Sequence, residues 1–252
     1  METFDLWPAG TMPHARNDGT DDKPTLTLFT PERPTRSAVV VLPGGGYGGH
    51  APYEGDPISK WLAGLGIAGA TCIYRVGTRG YRHPAPLADA RQAIRTLRKR
   101  GYQRVGILGF SAGGHLASTA ATLPGSPEER PDAAILIYPV ITLEGPAAHG
   151  GSRDNLLGPG APASLVRQLS TQNAVDRTTP ATFLVHTVED KAVPVENSLL
   201  FAEACARSGV PFAMQIYQQG PHGIGMGKPE FPETLGWPAA CAAWLKVRGF
   251  GI

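Results

Sequence analysis

A chain of 252 residues, 42% of them hydrophobic, is long enough to form one α/β domain with a substantial core. Its 23 lysines and arginines nearly balance 21 aspartates and glutamates, giving a net charge of +2. The one basic cluster, Arg95 to Arg100, falls where a helix should end, so no nucleic-acid surface is expected. Three scattered cysteines, Cys72, Cys205 and Cys241, suit neither a disulfide framework nor a thiolate metal site and read as small apolar residues. No apolar run is long enough to span a membrane, and the first residues lack the pattern of a signal peptide. The expected location is therefore cytoplasmic, unless a signal peptide has been removed.

After a leader rich in Pro, Gly and Asp, apolar runs predict strands at Thr25 to Phe29, Ala38 to Leu42, Ala70 to Tyr74 and Val105 to Phe110. Others follow at Ala133 to Tyr138, Thr182 to His186 and Phe212 to Tyr217. From Val39 onward most runs are continuous rather than alternating, which predicts strands covered on both faces of a mostly parallel sheet. Helical spacing appears between them. Leu87, Ala90, Ile94 and Leu97 form one stripe before Gly101. Pro194 opens a second helix with Val195, Leu199, Ala202 and Cys205 on its inner face, closed by Gly209, and a last one covers Pro238 to Val247. The alternation predicts a single α/β domain over residues 1–252 with right-handed crossovers. Only Leu143 to Thr179 breaks it, a stretch dense in Gly and Pro with one amphipathic piece at Ala163 to Leu169, expected to be a lid, a binding loop or a plain surface connection.

The run Val105 to Phe110 ends in Gly109-Phe110-Ser111-Ala112-Gly113, and a helix-like segment follows at once. This strand-turn-helix setting is what a GxSxG nucleophile elbow requires, so Ser111 is the candidate nucleophile. A serine hydroxyl needs a base, and the base needs a group to orient it. Of seven histidines, His222 lies just beyond the last predicted strand, at the carboxyl edge where open α/β sheets bind substrates. His186, inside a strand, and His115, one turn past Ser111, read as structural. Between Ser111 and His222, the loop after the Thr182 to His186 strand offers Glu189 and Asp190. Asp190 is preferred as the residue at the turn before Pro194, which gives the order Ser, Asp, His of α/β-hydrolases.

An oxyanion also needs donors. Pro43-Gly44-Gly45-Gly46-Tyr47-Gly48-Gly49 follows an early strand, and the candidates are the backbone N–H groups of Gly45, Gly46 and Ala112, with Tyr47 able to replace one glycine. Gly44, Gly46 and Gly49 also satisfy GxGxxG, but Pro43 precedes them and no acid follows the next strand to hold a ribose, so no dinucleotide cofactor is expected. Neither is a metal, since HExxH, EF-hand and paired CxxC patterns are missing. Tyr47, Arg82 and His83 are candidate substrate contacts.

These residues resemble the α/β-hydrolase superfamily, and within it the acetyl xylan esterases and related BD-FAE-like carbohydrate acetylesterases. The resemblance runs through the PGGGYGG loop, Tyr74-Arg75, GFSAGGHLA, Tyr138-Pro139, HTVEDKAVPVENSL and the PHG of His222. It departs at Pro43, where many lipase-like relatives carry the His of His-Gly-Gly-Gly. The resemblance implies a serine esterase for short acyl groups, with an acetylated sugar or xylan oligosaccharide as substrate, no cofactor, and Ser111, Asp190 and His222 as its triad. An amide-directed hydrolase, such as an arylformamidase or peptidase, and a non-catalytic interaction domain remain the alternatives. The sequence leaves the oligomeric state open.

Overall fold

A computed structural model describes residues 1–17, 19 and 23–251. One eight-stranded sheet runs through it. The strands are β1 (Glu2–Asp5), β2 (Thr25–Phe29), β3 (Ser37–Leu42), β4 (Ala68–Ile73), β5 (Arg104–Phe110), β6 (Ala134–Ile137), β7 (Thr182–Thr187) and β8 (Phe212–Tyr217). Their spatial order is β1-β2-β4-β3-β5-β6-β7-β8. The first two pairings, β1 with β2 and β2 with β4, are antiparallel, and from β4 to β8 every pairing is parallel. The continuous apolar runs account for the centre of the sheet, since every residue of β3, β6 and β7 is buried.

Helices cover both faces. On one lie α2 (Ala85–Lys99), α3 (Ser111–Thr122) and α6 (Glu196–Ser208), which pack with Leu26, Val40, Leu42 and Ile107. On the other, α1 (Asp56–Gly64) and α7 (Trp237–Val247) enclose Val39, Val41, Leu108 and Phe110. The predicted stripe of α2 is buried at all four positions. In α6 two positions depart: the helix begins at Glu196, which leaves Val195 half-buried as its N-cap, and Leu199 is 47% exposed, while Asn197 and Phe201 turn inward beside Ala202 and Cys205. Gly209 ends α6 in the left-handed conformation that its position predicts (φ +68°).

The stretch Leu143 to Thr179 joins β6 to β7 and contains two short helices, α4 (Gly150–Leu157) and α5 (Ala163–Gln168). Its root is tied to α6. Asn197 accepts the backbone N–H groups of Ile141 and Thr142 on Oδ1 and donates Nδ2 to Ala147 O. Near the other end of the sheet, a buried ion pair links the segment just after β4 to α2: Arg75 donates Nε and Nη2 to Asp89, which also receives the indole N–H of Trp7. All three cysteines are free and buried. Among the described residues, no helix is long and apolar enough to cross a membrane.

Candidate active site

The carboxyl ends of β3, β5, β7 and β8 deliver four loops to one place, and the elbow after β5 is the sharpest. Ser111 has φ +51°, a strained conformation for a non-glycine residue, and it opens α3. The turn is possible because its neighbours lack side chains. A Cβ on Gly109 would lie 2.1 Å from Gly113 O, and one on Gly113 would lie 2.1 Å from Leu42 O. Strand, helix and the end of β3 therefore meet backbone to backbone.

Ser111 Oγ lies 2.8 Å from His222 Nε2, and His222 Nδ1 lies 2.6 Å from Asp190 Oδ2. An ionised carboxylate can only accept, so Nδ1 carries the proton and Nε2 is left to accept from the serine hydroxyl. Asp190 is buried and receives the N–H groups of Ala192 and Val193 on Oδ1, while His186 Nε2 stands 3.4 Å from Oδ2. Burial opposes the charge of Asp190, but the hydrogen bonds from His186, His222 and Val193 outweigh it and hold the carboxyl well below its usual range. Glu189, by contrast, is exposed and only brushes Gly220 N at 3.5 Å.

The glycine loop after β3 supplies donors. Gly45, Gly46 and Tyr47 all have positive φ, and a Cβ on Gly45 would strike Gly49 O at 2.3 Å. The loop closes on itself, with Gly48 and Gly49 donating to Gly45 O. Among the described residues, nothing accepts the backbone N–H groups of Gly45, Gly46 and Tyr47. Ala112 stands in the first turn of α3, where backbone N–H groups have no partner within the helix. Four donors are thus available for a developing negative charge.

Of the expected substrate contacts, the Tyr47 side chain is corrected. The residue is 1% exposed and its hydroxyl lies 2.8 Å from His115 Nδ1, so the side chain packs beneath the loop. Arg82 is exposed, with its guanidinium against Gly158, and His83 donates its backbone N–H to Leu156 O. Both are thereby placed beside the C-terminal end of α4. His115 and His186 are buried and fully engaged, as their places in a helix and a strand predict.

Two residues near the site carry no signal in the sequence. His149 caps α4 by accepting Ser152 N on Nδ1, and its ring borders Gly46, whose carbonyl receives Asn155 Nδ2 from the same helix. Glu54, 2% exposed, accepts Gly44 N on Oε2 at 2.7 Å and Tyr138 Oη–H on Oε1 at 2.8 Å. A lone His in a glycine-rich insertion and a lone acid after Pro-Tyr carry no periodicity to mark them. Only the fold brings them to the loop.

Sheet order, the elbow at Ser111 and the Ser–His–Asp line together define an α/β-hydrolase fold. The chain belongs to the prolyl oligopeptidase family, whose model matches residues 83–246. It is 38% identical over 219 residues to an acetylxylan esterase of Xylanibacter ruminicola and 33% identical over 220 residues to endo-1,4-beta-xylanase B of Butyrivibrio fibrisolvens. These matches cover 82% and 80% of this chain but only 45% and 34% of the two relatives, so the chain spans less than half the length of either. A solved structure, the acetyl ester-xyloside bifunctional hydrolase of Caldicellulosiruptor lactoaceticus, superposes with a TM-score of 0.91 at 38% identity, covering 100% of this chain and 97% of that one.

Proposed function

We propose that the chain is a serine hydrolase of carboxylic esters with short acyl groups, acting on acetylated sugars or xylan fragments. The observation that carries this reading is the line Ser111–His222–Asp190, with contacts of 2.8 and 2.6 Å, set on a strained elbow. Ser111 Oγ attacks the ester carbonyl carbon as His222 Nε2 takes its proton. Asp190 fixes the imidazole and stabilises its protonated form. The oxygen of the tetrahedral intermediate is met by N–H groups of Gly45, Gly46 and Ala112, and collapse expels the alcohol, which takes the proton back from His222. Water then repeats the sequence on the acyl-enzyme, releasing the acid and the free serine. The names of the acetylxylan esterase relative and of the acetyl ester-xyloside hydrolase support the acyl and sugar parts of the substrate.

The test compares initial rates on p-nitrophenyl acetate, butyrate and octanoate for the wild type and Ser111→Ala, both verified as folded, followed by acetate release from acetylated xylo-oligosaccharides. Rates should fall with chain length, and the variant should lose roughly a millionfold in turnover. Equal rates in the two proteins would remove Ser111 from the chemistry. Because the family description names oligopeptidases, peptide p-nitroanilides belong in the same series. A larger kcat/KM on these than on acetyl esters would favour an amide-directed enzyme on the same triad.

A further inference from the structure

One buried titratable group takes no part in the mechanism above. Glu54 sits between the two loops that must be held in fixed relation, the glycine loop and the loop of His222. Its Oε2 accepts the N–H of Gly44, the residue just before the proposed oxyanion donors. Its Oε1 accepts the hydroxyl proton of Tyr138, whose oxygen in turn accepts Gly225 N at 3.0 Å, three residues beyond His222. The Tyr138 ring also stands edge-on to the His222 imidazole, with centroids 5.0 Å apart. Tyr138 itself is held at φ +36°, and Trp237 Nε1 fastens the carbonyl of Gly225 from the opposite side. Gly44 has no room to retreat: a Cβ there would stand 2.7 Å from Glu54 Oε2 and 2.9 Å from Ser111 Cβ.

We propose that Glu54 is a positioning residue which, through Gly44 on one oxygen and Tyr138–Gly225 on the other, sets the oxyanion loop and the His222 loop in register around Ser111. The proposal rests on the ester-hydrolase reading of that site. Both oxygens are acceptors, so only the ionised carboxylate serves both donors. Protonation on Oε1 reverses the bond to Tyr138, since the carboxyl then donates to Tyr138 Oη and the tyrosine proton loses its acceptor. The titratable groups around it are Tyr138 from the end of β6, Tyr53 on its own turn, His222 opposite and Tyr74 from the end of β4. Burial pushes the Glu54 carboxyl up, and its hydrogen bonds to Tyr138, Gly44 and Tyr53 pull against that. As pH falls through its titration, turnover should be lost ahead of substrate affinity.

The experiment measures kcat and KM on p-nitrophenyl acetate for the wild type, Glu54→Gln, Tyr138→Phe and the double variant, together with the amide resonance of Gly44. Glu54→Gln should lower kcat by about tenfold or more while leaving KM within about threefold, since donors are misplaced rather than removed. Tyr138→Phe breaks the same chain without touching the carboxylate, so the double variant should be no worse than the poorer single. The acid limb of the kcat profile should change shape in Glu54→Gln, which a packing role would not produce. A folded Glu54→Gln with wild-type kcat and profile, or losses that multiply in the double variant, overturns the proposal. Should the wild type hydrolyse no ester, it is the ester reading that fails. The Gly44 amide proton then decides the linkage without turnover, since it should lie downfield in the wild type and move upfield in Glu54→Gln, and an unmoved resonance overturns it.

Discussion

Asp190 shows how one side chain can be over-determined. Two backbone N–H groups, a strand histidine and the imidazole of His222 all converge on its carboxylate. Asp190→Asn keeps the size and most of the packing but can turn an N–H toward His222 Nδ1, which selects the wrong tautomer. Its kcat on p-nitrophenyl acetate is expected to fall by about 10⁴ with KM little changed, while the melting temperature stays near the wild-type value. Retained turnover would mean that Glu189 substitutes for it. The structure brings Ser111, Asp190 and His222 together, and the sequence marks each differently: Ser111 by its elbow, His222 as the first histidine beyond the last strand, and Asp190 as the second of two acids after β7, at the turn before Pro194. Glu54, His149 and the buried ring of Tyr47 carry no such mark, because their roles depend on contacts between segments far apart in the chain. Tyr138 and Glu54, hydrogen-bonded at 2.8 Å, are 84 residues apart.

Elements built from one dominant pattern are legible in the sequence, whereas elements fixed by their neighbours are not. The β5 run and the stripe of α2 announce themselves by continuous burial and by steps of three and four. By contrast α1, opened by Asp56-Pro57 and packed on β4, and β1, which pairs with β2 at the antiparallel edge, owe their form to surfaces that already exist. The insertion also holds more helix than its glycines suggest, since His149 caps α4 and Gly158 ends it. The glycines of the elbow make the sharpest claim at this scale. Gly113→Ala would drive a Cβ to 2.1 Å from Leu42 O and 2.6 Å from Pro43 O, both of them backbone atoms that cannot rotate away. Urea denaturation should show a loss of about 3 kcal/mol or more, whereas Ala at Gly64, which ends α1 in open space, should cost nothing and gain up to about 1 kcal/mol.

Across the molecule, buried histidines tie stability to pH. His115 is sealed in the core, where burial lowers its titration to about 4, with its Nε2 donating to Leu169 O and its Nδ1 accepting from Tyr47. A folded value below the unfolded one, near 6.5, means that the unfolded chain binds the proton first. Stability from His115 is therefore full above about pH 6.5 and is lost as the pH falls toward 4, by about 3 kcal/mol over that window. His50, His83 and His149 are shifted in the same direction by burial. Denaturant midpoints measured across this range should decline with acid, and His115→Gln should flatten the decline. An unchanged slope would place the acid sensitivity elsewhere.

The four loops of the site do not hang from equally secure strands. β3, β5 and β7 lie inside the sheet with a partner on each side, but β8, which leads to His222, is the edge, paired among the described residues with β7 alone and with none of its residues fully buried. Segments with few buried contacts open at lower free energy than the core. On warming, β8 can fray while the remaining strands stay folded, so the protein should go silent before it melts, and should recover its activity on cooling from any temperature short of the melting transition.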